Sequence, residues 1–188
     1  MASAKPLVLF SHGKEGTPNG NKIVQLMAVA TSFGCHNISV DYRNIASPDK
    51  RADKLLDRLK DHPPPLVLVG SSMGAYISIV ASKLLNPKGL FLLAPALYLP
   101  GYNNQDPTPH ANITTIIHGW NDEVVPVANV MRFSQKHKNR VHFLDADHRL
   151  LTAMPIIKSM FTLFLDEILT SFIKEESKFV DKKDNNYG

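Results

Sequence analysis

Gly70-Ser71-Ser72-Met73-Gly74, reached through the apolar run Leu66-Val67-Leu68-Val69, decides how this chain folds. The run has the length of a buried strand, and Ala75 to Leu85 reads as a helix. A serine centred between two glycines at a strand-to-helix junction marks a turn so tight that its outer positions must be nearly free of side chain. The turn lifts the Ser72 hydroxyl above the sheet edge, at the positive end of the helix that follows. A hydroxyl there is placed to attack a carbonyl, with the Met73 backbone N–H available to the oxyanion that forms.

Outward from this turn, apolar runs of strand length alternate with longer segments of helical period. The predicted strands are Pro6–Phe10, Asn37–Tyr42, Leu66–Gly70, Gly89–Leu93, Thr114–His118 and Arg140–Leu144. The predicted helices are Asn21–Phe33, Pro48–Asp61, Met73–Leu85, Val127–Lys138 and Pro155–Lys174. Several strands are apolar almost throughout, which suits strands covered on both faces and hence a parallel sheet between helical layers. With right-handed crossovers the expectation is a doubly wound, three-layer α/β sandwich on a six-stranded, mostly parallel sheet. In the last helix Ile156, Met160, Leu163, Phe164, Ile168 and Phe172 form one stripe.

The length of 188 residues predicts a single domain over 1–174. After Lys174 the composition turns charged, and 175–188 is expected to be a flexible tail. The longest unpatterned stretch, Ala94 to Asn112, carries four prolines and follows the fourth strand, at the sheet end where the Ser72 turn opens.

Composition excludes several function classes. The net charge of +4 is mild. The densest basic run, Lys136-His137-Lys138-Asn139-Arg140, falls where a helix should end and cations are favoured. No nucleic-acid module is recognisable, so no nucleic-acid partner is expected. The one cysteine, Cys35, permits no internal disulfide and offers no thiol cluster for a metal. Neither a leader segment nor a run near the roughly 18 apolar residues that span a bilayer is recognisable. The expected setting is cytoplasmic, with no membrane span. The phosphate-loop spacings G-x-x-x-x-G-K-[ST] and G-x-G-x-x-G are absent, and no cofactor is expected.

In open α/β sheets the chemistry sits in loops at the carboxyl ends of the strands. Ser72 occupies one such loop. Ser11-His12-Gly13-Lys14 follows the first strand, and glycine there lets the backbone approach Ser72 closely. The Lys14 N–H is the first candidate for a second oxyanion donor, with Gly13 and Glu15 next. His118-Gly119-Trp120-Asn121-Asp122-Glu123 follows the fifth strand. Asp122 is the carboxylate placed to orient a histidine, with Glu123 its near rival. Asp145-Ala146-Asp147-His148 follows the last strand, and His148 is the candidate general base. Ser72, Asp122 and His148 occur in the chain order Ser…Asp…His. Tyr98, Leu97, Tyr102, Met73 and Trp120 are candidates for an apolar wall around the acyl or alcohol part of a substrate.

With these residues in place the chain resembles the α/β-hydrolase superfamily, in its compact, nearly capless serine esterase form, from about Pro6 to Ile173. The resemblance implies Ser72 as nucleophile, Asp122 as triad acid, His148 as triad base, and the N–H groups of Met73 and of the Lys14 turn as oxyanion hole. His12-Gly13 matches the family's His-Gly turn. Gly119-x-x-Asp122-x-x-Val125-Pro126 matches its acid loop, which favours Asp122 over Glu123. The implied substrate is a small-molecule ester or thioester. The other reading is a non-catalytic binding protein on the same scaffold. The two antiparallel N-terminal strands of larger members are missing, and Ala94–Asn112 leaves room for no more than a short flap.

Overall fold

The computed structural model describes residues 6–59 and 67–184. Its six strands are β1 (Leu7–Ser11), β2 (His36–Val40), β3 (Val67–Ser71), β4 (Gly89–Leu93), β5 (Ile113–Gly119) and β6 (Arg140–Leu144). Its five helices are α1 (Asn21–Ser32), α2 (Pro48–Leu59), α3 (Met73–Leu85), α4 (Val127–His137) and α5 (Met154–Asp184). The strands form one sheet in the order β2-β1-β3-β4-β5-β6, and all five pairings are parallel. The expected "mostly parallel" sheet is thus parallel throughout.

Alternation along the strands divides the core in two. Leu7 and Leu9 face a layer of α2, α3 and α4, where Leu55, Tyr76, Ile79 and Phe133 pack. Val8 and Phe10 face α1 and α5, meeting Leu26, Ile157, Phe161 and Leu165. Phe91 is wholly buried, with its ring 4.9 Å from that of Phe161. Burying strands on both faces explains their unbroken apolar runs. Of the stripe read for the last helix, Phe164 and Ile168 are buried, whereas Ile156 and Leu163 are exposed.

The α5 helix continues as backbone to Asp184, past the end expected at Lys174. Glu175 to Asp184 holds neither Pro nor Gly and is rich in Lys and Glu, which are good helix formers. Lys60, Asp61 and Leu66, at the edges of two predicted elements, lie outside the described residues. Among the described residues no helix is long and apolar enough to cross a membrane, and no group of three His, Cys, Asp or Glu residues is arranged to hold a metal.

Candidate active site

The turn after β3 places Ser72 at φ 55° and ψ −119°, a conformation costly for a residue with a Cβ. Its flanks explain the two glycines. A Cβ on Gly70 would lie 2.5 Å from the Ala75 Cα, and one on Gly74 would run into the Ser11 carbonyl. The turn is stitched to its neighbour on the other side as well. The Ser72 N–H donates to the Leu93 carbonyl (2.8 Å), and the Ala96 N–H donates to the Ser72 carbonyl (3.2 Å). Met73 begins α3, so its N–H is one of the helix's orphan donors.

His148, in the turn after β6, reaches this serine. Its Nε2 lies 3.0 Å from the Ser72 Oγ and its Nδ1 lies 2.7 Å from the Asp122 Oδ2. A carboxylate only accepts, so Nδ1 carries the proton and Nε2 is left to accept from the serine hydroxyl. The Asp122 carboxylate is fully buried, whereas the His148 ring keeps 19 % exposure. Its other oxygen, Oδ1, accepts from the N–H groups of Val124 (2.9 Å) and Val125 (2.8 Å). Burial alone would raise the Asp122 carboxyl. The hydrogen bonds from His148 and from those two amides outweigh it and hold the group below the ordinary carboxylate range. Glu123 is exposed, and the geometry brings Asp122, not Glu123, to His148.

The turn after β1 passes directly over the elbow. A Cβ on Gly13 would stand 3.3 Å from the Ser72 Cβ and 3.9 Å from its Oγ. Lys14 is exposed as a residue, and it is the backbone of this turn that lies against the serine. His12 is buried at 2 % exposure. Its Nε2 accepts from the Tyr42 N–H (3.0 Å), so its Nδ1 carries the proton and donates to the Gly13 carbonyl (2.8 Å).

The wall residues scatter. Leu97 is wholly buried in the core beside α3 and α4, which corrects its placement at a substrate surface. An apolar side chain one residue past the Ala96 contact with the elbow turns inward because the core is the nearest dry space. Tyr98 is half-buried; its hydroxyl donates to Asp106 (3.0 Å) and the Arg132 guanidinium lies 4.1 Å from its ring centre. Tyr102 packs edge-on against Tyr76. Trp120 is 56 % exposed and stacks on Phe143, with ring centres 4.7 Å apart. Met73 is buried at the elbow.

Three residues near the site had no voice in the sequence reading. His118 lies wholly buried behind Asp122, its Nε2 donating to the Val125 carbonyl (3.1 Å) and standing 3.6 Å from the Asp122 Oδ2. Arg51, also buried, reaches the Gly13 turn from α2. Lys22, on the first turn of α1, lines a small cavity with Ser11, Gly70 and Ser71, and burial pushes its ammonium down to about 8.

No family profile matches the chain. A segment is 34 % identical over 87 residues to lysophosphatidylserine lipase ABHD12 of Danio rerio, covering 40 % of this chain and 23 % of that protein. The match thus spans less than a quarter of the curated relative's length. Among solved structures, a Xanthomonas campestris protein assigned to the alpha/beta superfamily of hydrolases superposes with a TM-score of 0.77 at 26 % identity, over 87 % of this chain and 99 % of its own. A second Xanthomonas campestris protein, an α/β serine hydrolase without a lid, superposes at 0.72 and 17 % identity, over 88 % of this chain and 83 % of its own, a likeness of fold alone.

Proposed function

We propose that this chain, a member of the α/β-hydrolase superfamily, is a serine hydrolase of small carboxylic esters or thioesters, with residues 1–174 as its one catalytic domain. The observation that carries the reading is the hydrogen-bonded line from the Ser72 Oγ through His148 to the buried Asp122 carboxylate, on a backbone turn that holds the serine at positive φ.

The His148 Nε2 takes the Ser72 proton as the Oγ attacks the acyl carbon. Asp122 keeps the ring in the tautomer that can accept, and stabilises the imidazolium that forms. The carbonyl oxygen becomes an oxyanion, held by the Met73 N–H and an N–H of the Gly13-Lys14-Glu15 turn. The His148 Nε2–H then protonates the departing alcohol oxygen or thiol sulfur as that bond breaks. A water, deprotonated by His148, attacks the acyl carbon; the acyl–Oγ bond breaks, the acid leaves, and the His148 Nε2–H returns its proton to the Ser72 Oγ. The exposed Trp120 and half-buried Tyr98 remain the candidates for contact with the substrate's apolar part.

The test is a series of p-nitrophenyl and thioester substrates of rising chain length, beside Ser72→Ala and a fluorophosphonate probe. Turnover should fall by on the order of 10⁵–10⁶ in Ser72→Ala, and the probe should label Ser72 alone. Full activity in Ser72→Ala sinks the reading. A wild-type chain that neither turns over nor labels has an unactivated hydroxyl and is a binding protein.

A further inference from the structure

Arg51 sits on α2, yet it is buried to 2 % exposure. Its Nε donates to the Ile45 carbonyl at 2.6 Å, its Nη1 to the Gly13 carbonyl at 3.0 Å and its Nη2 to the Lys14 carbonyl at 2.9 Å. The guanidinium carbon lies 5.6 Å from the Tyr42 ring centre. Burying a guanidinium costs several kcal/mol unless its donors are well matched. Here three of its acceptors are main-chain carbonyls, two of them adjacent in the turn beside Ser72.

A trans peptide is planar, so each N–H points opposite to the C=O of its own unit. Fixing the Gly13 carbonyl fixes the Lys14 N–H, and fixing the Lys14 carbonyl fixes the Glu15 N–H. Both N–H groups therefore point away from the guanidinium. The Gly13 carbonyl is held again by the His12 Nδ1–H at 2.8 Å and by the Gly16 N–H at 3.2 Å. The same turn stands against the nucleophile, since a Cβ on Gly13 would be 3.9 Å from the Ser72 Oγ.

We propose that Arg51 is a positioning residue for the oxyanion hole: its fork grips the Gly13 and Lys14 carbonyls and so aims the N–H groups of Lys14 and Glu15 at the oxygen that gains charge when Ser72 attacks. This rests on the hydrolase reading above. Arginine suits the task because its rigid fork holds two neighbouring carbonyls at once, whereas a lysine ammonium is a single point of charge on a flexible stem. Oxyanion donors act through preorganisation, so a turn left free to rotate loses transition-state stabilisation while ground-state binding survives.

The experiment compares wild type with Arg51→Lys and Arg51→Gln, each rate expressed per site titrated with a fluorophosphonate. kcat should fall about 10–100-fold with KM changed less than about threefold. Affinity for a boronic acid that forms a tetrahedral adduct on Ser72 should fall in step with kcat/KM, while affinity for the product carboxylate holds. A purely structural role lowers the number of titrated sites and leaves kcat per site and boronate affinity alone, which overturns the proposal. Failure of both variants to fold assigns Arg51 to the scaffold and overturns it too. An inactive Ser72→Ala beside a fully active Arg51→Lys removes the role of Arg51 and leaves the hydrolase standing. An active Ser72→Ala removes both.

Discussion

Replacing Ser72 with glycine should make the protein more stable than replacing it with alanine, against the ordinary order of those two residues. Elsewhere in a fold glycine is worse than alanine by about 0.5–1 kcal/mol, because its unfolded chain has more freedom to lose. At Ser72 the backbone sits at φ 55° and ψ −119°. A residue with a Cβ is strained there by about 1–3 kcal/mol, and glycine is not. Alanine removes the hydroxyl and its bond to His148 but keeps the strain. Glycine removes both, so the difference between the two variants isolates the backbone term. Relief minus the usual glycine penalty leaves about 1 kcal/mol in favour of glycine, or about 2–4 °C in Tm for a chain of this size. Urea unfolding followed by far-UV circular dichroism, with calorimetry on the same samples, reads the difference directly. Alanine ahead by the ordinary margin of about 0.5–1 kcal/mol would mean that the turn holds no strain and that Ser72 is not forced into its position.

Asp122→Asn should leave the fold intact and lower kcat by roughly 10⁴, because a side-chain amide facing the His148 Nδ1 reverses the tautomer that the carboxylate enforces; esterase assays and a melting curve check both halves, and a loss under tenfold would deny Asp122 its orienting role. Lys22→Met should stabilise the protein at pH 7 by about 1–3 kcal/mol. The sign follows from burial, which lowers the Lys22 ammonium from 10.5 to about 8, so the unfolded chain binds this proton more tightly than the folded one. The penalty is full below about 8 and is relieved as pH rises toward 10.5, so the advantage of Lys22→Met should shrink across that window. Urea titrations at pH 7, 9 and 10.5 measure it, and a gap that widens with pH contradicts burial as the cause.

Much of this architecture could be read from the chain because its inner strands β1, β3 and β4 are buried on both faces. Gly89–Leu93 begins and ends where its apolar run does, and Met73–Leu85 begins at the elbow. Boundaries slipped where the hydrophobic pattern was silent. β2 starts at His36, an exposed residue recruited by pairing with Leu7 rather than by its own character. Ser72, Asp122 and His148 were legible because each follows a strand, and parallel strands deliver their carboxyl ends to one edge. Arg51 was not, because it sits in a helix dense with Lys, Arg and Asp, where one more charge carries no mark. A signal existed in the spacing: Pro48, Ala52, Leu55 and Leu59 form the buried stripe of α2, and Arg51 lies on it. Leu97 misled in the opposite direction, since its apolar character fits a core as well as a groove and sequence alone cannot tell which is nearer.

Because the elbow packs on one flank against Ser11, whose carbonyl leaves no room for a Cβ at Gly74, and is hydrogen-bonded on the other to Leu93 and Ala96, its five residues are not a portable cassette. Moved into another strand–helix junction, Gly-Ser-Ser-Met-Gly would relax to an ordinary turn and drop its hydroxyl to the surface. An engineer wishing to transplant this reactivity has to carry two neighbouring strand ends, those of β1 and β4, along with it.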